Sequence, residues 1–145
     1  MAGMVVAAAT MTGVKALVIS PDPALRHQLK VAIGTLERRS GEPWEYVEAT
    51  DGVRGLTLAW RERPDLVVAD EIASGAGAFA VAKDLKGAAQ PLPGSVVVIL
   101  ARAQDTWLAK WSGADAWLTK PVDPFALADI VTDLMARPRP VAGRA

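Results

Sequence analysis

The amino-acid sequence predicts an α/β fold, in which a doubly wound parallel sheet is covered by helices on both faces. Short apolar segments alternate with segments whose apolar residues recur at helical spacing. Continuously apolar strands are what burial of a parallel sheet on both faces requires. Five strands alternating with five helices imply right-handed crossovers between parallel neighbours.

The predicted strands cover residues 16–19, 46–49, 66–69, 96–100 and 116–118. The predicted helices cover residues 23–39, 53–60, 79–85, 106–111 and 124–134. The first and third strands are continuous apolar runs, and the fourth is the strongest because it is almost entirely β-branched. Residues 46–49 are a candidate for the second strand, and residues 116–118 suggest a short fifth strand. In each helix the apolar residues fall on one face.

Proline and glycine mark the helix boundaries. Pro23 and Pro124 each suit the opening turn of a helix. Residues 40–43, Ser-Gly-Glu-Pro, end the first helix. Arg63-Pro64 ends the second, because the residue before a proline disfavours the helical region. A Ser/Gly loop precedes the third helix, a Pro-rich turn precedes the fourth strand, and residues 138–140 stop the last helix.

Length and composition indicate a single domain. The chain has 145 residues, of which 51% are hydrophobic, and its formal net charge is zero. Balanced charge argues against nucleic-acid binding, and the absence of cysteine excludes disulfides and thiolate metal sites. We expect a flexible leader at 1–13, too short to cross a membrane, a folded domain at 14–136 and a flexible tail at 137–145. A cytoplasmic protein without membrane contact is expected.

Functional groups of a doubly wound sheet gather beyond the carboxyl ends of its strands. Those ends carry Ser20, Thr50, Asp70, Leu100 and Thr119-Lys120. No glycine-rich phosphate loop is present. The single histidine, His27, is expected to be solvated, as are the helical carboxylates of Asp84 and Asp129. Because no nucleophile–base or paired-carboxylate spacing occurs, an independent enzyme is not expected.

Two segments carry a family resemblance. The first runs from Pro64 to Asp70 as Pro-Asp-Leu-Val-Val-Ala-Asp, and the second runs from Gly113 to Pro121 as Gly-Ala-Asp-Ala-Trp-Leu-Thr-Lys-Pro. From residue 15 to 135 the chain resembles the bacterial response-regulator receiver (CheY-like) family, and more weakly a group of atypical stand-alone receivers. The resemblance implies a flavodoxin-like sheet with strand order 2-1-3-4-5.

The resemblance also implies roles for individual residues. Asp70 matches the phosphoacceptor, and Lys120 matches the cation that pairs with it. The acidic pair that holds a divalent cation in this family falls at Ser20 and Pro21, with Asp22 one place further on. A hard cation prefers carboxylate and carbonyl oxygens, so Asp22 and Asp70 are the only side-chain ligands left for Mg²⁺. The departures argue against this cofactor, and no other is implied.

Two positions associated with switching in the family are also changed. The hydroxyl that contacts the phosphoryl group is replaced by Leu100, and the switch aromatic is Trp117, whose bulk opposes rotation. Trp107 and Trp111 are four residues apart and share a helix face. With Trp117 they mark the surface of the fourth helix, fifth strand and fifth helix as an interaction surface. The alternative is that Trp107 or Trp111 fills the core; Trp44 and Trp60 are expected to be packing residues.

Three functions remain open. The first is a receiver-like module that signals by docking to another signalling protein or to a second copy, with phosphorylation at Asp70 weak or absent. The second is a conventional phosphoacceptor served by a histidine kinase, with Asp22 completing the cation site. The third is a small-molecule sensor that uses a cavity beside Asp70. For Asp70 and Lys120 the alternative is a purely structural ion pair.

Overall fold

The computed structural model describes residues 13–71 and 77–137. Its strands are β1 (Val14–Ile19), β2 (Trp44–Ala49), β3 (Leu66–Asp70), β4 (Ser95–Leu100) and β5 (Ala116–Thr119). Its α-helices are α1 (Pro23–Ser40), α2 (Gly52–Glu62), α3 (Ala78–Gly87), α4 (Thr106–Ser112) and α5 (Pro124–Ala136), and a 3₁₀ turn at Ala103–Asp105 leads into α4.

The strands form one parallel sheet in the order β2-β1-β3-β4-β5. The predicted fold class and strand order are therefore confirmed. Helices α1 and α5 pack on one face of the sheet, and α2, α3 and α4 pack on the other. Each face has its own apolar core, and every residue of β3 is buried between them.

The two edge strands differ from the predicted pattern of continuous apolar burial. Strand β2 has the sequence Trp-Glu-Tyr-Val-Glu-Ala, and its two glutamates are exposed to solvent. All four residues of β5 are half-buried. An edge strand has a neighbour on one side only, so charged side chains there remain in water and discourage pairing with another chain. The prediction of fully apolar strands holds for β1, β3 and β4.

Side-chain caps and backbone turns define the helix ends. Asp22 caps α1, Asp51 caps α2 and Asp123 caps α5, each accepting a hydrogen bond from a backbone N–H of the first turn. Helix α2 ends at Glu62 with Arg63 as its C-cap, at the boundary that the following proline predicts. The Arg63 backbone is left-handed there, with φ of 51°, and its N–H bonds to Ala59 O.

Parallel pairing brings the strand ends together at one edge of the sheet. Ile19 lies beside Ala69, Asp70 beside Ile99, and Leu100 beside Thr119. Apart from Gly13 and Arg137, the predicted leader and tail lie outside the described residues, so those boundaries stay predictions. Within the described ranges, no helix is both long and apolar enough to cross a membrane.

Candidate functional site

Asp70 is the last residue of the central strand β3, and its side chain is buried. Lys120, which follows β5, places Nζ 2.9 Å from Asp70 Oδ1. Ser20, which follows β1, donates its hydroxyl to Asp70 Oδ2 at 2.8 Å. The structure thus brings together Asp70 and Lys120, the pair implied by the resemblance. It adds a contact from Ser20, so both carboxylate oxygens are engaged.

The Ser20 hydroxyl also links the site to the start of α1. While it donates to Asp70, its oxygen accepts the backbone N–H of Asp22 at 3.0 Å. The Ser20 backbone continues the strand ladder through a bond to Ala49 O. Its own carbonyl accepts from Arg26 Nη1. Sequence reasoning treated Ser20 as a poor cation ligand and missed its role as the donor to Asp70.

Asp22, considered from the sequence as a cation ligand, lies at the start of α1. Its carboxylate accepts the N–H of Ala24 at 2.9 Å and caps α1. Among residues 13–71 and 77–137, no three Asp, Glu, His or Cys side chains are grouped to hold a metal ion. The Lys120 ammonium beside Asp70 cannot bind a cation, and the Ser20 hydroxyl is a neutral oxygen that binds Mg²⁺ more weakly than a carboxylate does. The residues that the structure describes around Asp70 do not fit a Mg²⁺ site.

The two positions that the resemblance associates with switching lie at the apolar core on the α2–α3–α4 face. Leu100 is fully buried, and Trp117 is half-buried against the same cluster. The backbone carbonyl of Leu100 accepts the N–H of Lys120 at 2.9 Å, which fixes the lysine at the site. Leu100 therefore contributes packing where the family resemblance implies a hydroxyl.

A second carboxylate, Glu71, was not found by sequence reasoning. Its Oε1 is buried without a hydrogen-bond partner among the described residues. Burial raises its pKa, and the nearby charge of Asp105 raises that pKa further. Asp105 is itself buried and pairs with Arg102 at 3.2 Å. The signal in the sequence was a charged residue directly after a buried strand.

The Gly-Ala-Asp segment of the sequence motif is structural. Asp115 accepts the N–H of Val96 at 2.7 Å and lies 3.3 Å from Lys86 Nζ, joining β4 to α3. Gly113 ends α4 with φ of 84°, a conformation that side chains other than glycine rarely adopt. These residues align β5 so that Lys120 reaches Asp70.

Helix α4 presents a surface that we call the tryptophan face, formed by Trp107 and Trp111 with the neighbouring Lys83 and Lys110. Trp107 is 65% exposed and Trp111 is 57% exposed. Lys83, on α3, places Nζ 4.7 Å from the centroid of the Trp111 ring. The core-filling alternative is therefore wrong for both tryptophans. Trp117 differs, because it packs on the core.

The remaining tryptophans and the histidine have simpler environments. Trp44 is half-buried and stacks on Tyr46, as expected of a packing residue. Trp60 is 36% exposed, so it packs less than expected, and Arg63 lies over its ring.

His27 is exposed on α1, as the sequence predicts. It lines an open groove of about 890 Å³ between α1 and the start of α5, with residues Leu25, Val31, Val122 and Pro124, and the groove reaches Lys120.

Comparison with known proteins identifies the family. An uncharacterised response regulatory protein of Mycobacterium tuberculosis is 32% identical over 127 residues, which cover 88% of this chain and 95% of that protein. The chain belongs to the response-regulator receiver family. Protein PilH of Pseudomonas aeruginosa is 30% identical to this receiver over 95 residues, 63% of this chain and 78% of that protein. No protein-family model matches.

Solved receiver structures have the same fold. The signal receiver domain of NarL from Mycobacterium tuberculosis superimposes with a TM-score of 0.72 at 26% identity, covering 86% of this receiver and 98% of that chain. The chemotaxis response regulator CheY4 of Vibrio cholerae gives a TM-score of 0.72 at 20% identity, covering 85% and 99%. At this lower identity the likeness concerns the fold alone. The chain is thus a receiver domain of two-component signalling.

Proposed function

We propose that this receiver signals by docking to another protein, with phosphorylation at Asp70 weak or absent. The observation that carries the proposal is the closed environment of Asp70. Its carboxylate is buried, with Lys120 on one oxygen and the Ser20 hydroxyl on the other. An acceptor oxygen must reach the phosphorus atom, so phosphorylation here would first require these contacts to open.

The charge balance at the site supports the same proposal. Phosphoryl transfer depends mainly on positioning and on neutralisation of the phosphoryl oxygens, usually with a metal ion. Lys120 supplies one positive charge, and it is already paired with Asp70. Ser20, Pro21 and Leu100 supply neither a cation ligand nor a free hydroxyl for the incoming group. We therefore assign the Asp70–Lys120 pair a structural role.

Docking needs a surface, and the tryptophan face is the best supported. Exposed tryptophans on one helix face are typical of binding hot spots. The partner is another signalling protein, or a second copy in a homodimer. The contact would extend from α4 towards β5 and α5, where Trp117 lies at the edge of the core.

A conventional phosphoacceptor is the second candidate. It is favoured by the survival of Asp70 and Lys120 at 2.9 Å in a member of this family. Phosphorylation by a histidine kinase would then require the Ser20 hydroxyl to turn away and Asp22 to leave its cap on α1. The third candidate, a small-molecule sensor, is favoured by the groove that reaches Lys120, although Asp70 itself does not line that groove.

Intact-mass measurement after incubation with acetyl phosphate and MgCl₂ tests the proposal. Little or none of the wild-type chain is expected to gain a phosphoryl group. The matched variant is Ser20→Asp with Pro21→Asp, which restores two carboxylates beside Asp70 and is expected to gain one group when Mg²⁺ is present. Circular dichroism checks that this variant is folded. A stable gain of one phosphoryl group per wild-type chain that Asp70→Asn removes would overturn the proposal in favour of the phosphoacceptor.

A further inference from the structure

We propose that residues 138–145 of this chain, Pro-Arg-Pro-Val-Ala-Gly-Arg-Ala, bind an acidic cleft at the amino-terminal end of the sheet. The cleft lies where β1, β2 and β4 begin, at the opposite end of the sheet from Asp70. The inference therefore concerns a second surface and goes beyond the proposed docking function. It combines the charge of the cleft, the place where the chain leaves α5 and the charge of the segment that follows.

The cleft is open and has a volume of about 900 Å³. The charged residues that line it are Lys15, Glu42, Glu45, Glu62, Arg63 and Asp65. Four carboxylates and two cations give this lining a net charge of −2, although the whole chain has none. A concave surface with an excess of one charge attracts segments of the opposite charge, so the expected occupant is cationic.

Two of the four carboxylates already have partners within the domain. Glu62 accepts a hydrogen bond from Lys15 Nζ at 3.0 Å. Asp65 accepts the backbone N–H of Lys15 at 2.8 Å. Glu42 and Glu45 are exposed, and among the described residues neither forms an ion pair. These two glutamates are therefore the groups that an incoming cation would meet.

The cleft also offers apolar and aromatic surface. The half-buried Trp44 stacks on Tyr46, with ring centroids 6.5 Å apart. Trp44 and Met135 line both the cleft and a smaller apolar groove of about 260 Å³ between the ends of α1 and α5. Proline-rich segments bind aromatic-lined grooves at a low cost in chain entropy. Proline beside arginine is thus the composition that this surface suits.

The chain leaves α5 at the wall of this cleft. Leu134 and Met135, in the last turn of α5, line the cleft. Arg137 caps the helix, and its backbone N–H bonds to Leu134 O. The eight residues that follow span up to about 26 Å when extended. They start beside the cleft and are long enough to lie along it.

This segment matches the cleft in charge and in the type of its side chains. Arg139 and Arg144 are its charged side chains, and a guanidinium group can bind a carboxylate through two parallel hydrogen bonds. Pro138 and Pro140 favour an extended backbone at the residue before each. Residues 1–12 also join the domain beside the cleft, at Gly13, but they carry no charged side chain. Charge complementarity therefore favours the segment after α5.

Disulfide trapping in the full chain tests this inference. The chain has no cysteine, so two introduced thiols react only with each other. Ser40→Cys places a thiol at an exposed position of the apolar groove, and Ala142→Cys places one in the segment. Neither substitution changes the charge. Circular dichroism checks that the variant is folded, and intact mass after alkylation follows formation of the disulfide in a glutathione redox buffer.

The matched control combines Ala142→Cys with Asp133→Cys. Asp133 is exposed in the last turn of α5 and lines neither the cleft nor the groove. It is nine residues from Ala142, so an unbound segment would close this shorter loop more readily. We expect the Ser40→Cys pair to close about tenfold faster than the control, because binding raises the effective concentration of its thiols. Equal rates, or a faster control, would overturn the inference.

Removal of the two glutamate charges tests the recognition itself. Glu42→Gln with Glu45→Gln is expected to slow closure of the Ser40→Cys pair about fivefold, the size expected for two exposed ion pairs. Sodium chloride at high concentration should act in the same direction. Asp84→Asn with Asp129→Asn removes two exposed carboxylates elsewhere and should leave the rate unchanged. A rate that the glutamine substitutions did not alter would overturn the assigned recognition.

Non-reducing electrophoresis distinguishes the alternative occupant. A disulfide within one chain, formed at a rate independent of protein concentration, supports the inference. A disulfide-linked dimer would overturn it, because the segment would then occupy the cleft of a second copy.

Discussion

The side chain at the end of β3 and those on the outer face of α4 differ in their exposure to solvent. At the end of β3 a carboxylate, Asp70, is buried and bonded through both oxygens. On α4 two tryptophans, which soluble proteins usually shelter, lie mostly in water. The buried carboxylate already has bonding partners on both oxygens within the domain. Exposed indoles can still gain contacts, so the capacity to bind lies at the surface.

This difference in exposure predicts which residues contribute to stability and which contribute to binding. Changes at the buried pair should alter the free energy of unfolding, whereas changes at the tryptophan face should alter binding and leave folding intact. Four variants test this division, starting with the one expected to matter most for stability.

Lys120→Ala should have the largest effect. It leaves the buried carboxylate of Asp70 without its counter-charge, and loss of one partner from a buried pair costs about 3 kcal/mol or more. Lys120 is 29% exposed on its side chain, which places the expected loss at the low end. Urea unfolding of wild type and variant measures it. The control is Lys30→Ala, whose partner Glu48 is exposed, with an expected loss of about 0–1 kcal/mol. Equal losses would show that Asp70 does not depend on Lys120.

Ser20→Ala should come next. It removes the hydroxyl that donates to Asp70 and accepts from the Asp22 backbone, and loss of a hydrogen bond to a buried charged group costs about 1.5–3 kcal/mol. Urea unfolding is again the measurement. Thr57→Ala removes an exposed hydroxyl on α2 and should change stability by less than about 0.5 kcal/mol. If both variants behaved alike, the Ser20–Asp70 bond would contribute nothing to stability.

Glu48→Gln tests an exposed ion pair near the same end of the sheet. Hydrogen bonds from Lys30, and then from Arg26, lower the pKa of Glu48. A lowered folded-state pKa contributes stability above the unfolded-state pKa, and that contribution is lost as pH falls through the folded-state value. Wild type should exceed the variant by about 0.5 kcal/mol at pH 7, because Glu48 is exposed. Thermal unfolding at several pH values should show the two converging in acid. A gap that persisted in acid would exclude this pair as its cause.

The double variant Trp107→Ala, Trp111→Ala should have the smallest effect on stability, within about 0.5 kcal/mol. The matched change in the core, Trp117→Ala, should cost about 3 kcal/mol, because that ring packs against the apolar cluster. Chemical denaturation compares the two. A large loss for the exposed pair would mean that these rings support the fold, and the division between folding and binding would fail.

The fold could be predicted from the sequence because its signals are local. The apolar runs of β1, β3 and β4 and the prolines that open α1 and α5 place those elements correctly. The prediction was less accurate for the edge strands β2 and β5. Their exposure arises because each pairs with a neighbouring strand on one side only. The juxtaposition of Asp70 and Lys120 followed from the family motif and from the rule that strand ends meet.

Other features depend on distances that the sequence does not contain. The Ser20 bond to Asp70 requires β1 and β3 to be neighbours at a given register. The approach of Glu71 to Asp105 depends on the 3₁₀ turn after β4. The exposure of Trp107 and Trp111 could not be separated from core filling, because helical spacing gives a shared face but not its direction.

Lys83 and Lys110 have a consequence for the behaviour of the protein in concentrated solution. The chain has no formal net charge and a pI of about 6.6, so copies near neutral pH gain little overall protection from mutual repulsion. Exposed indole rings would then favour aggregation. We expect the two ammonium groups beside those rings to oppose self-association through this face, because like charges on two copies repel each other. We therefore expect the solubility of this receiver to depend on the positions of its charges more than on their number.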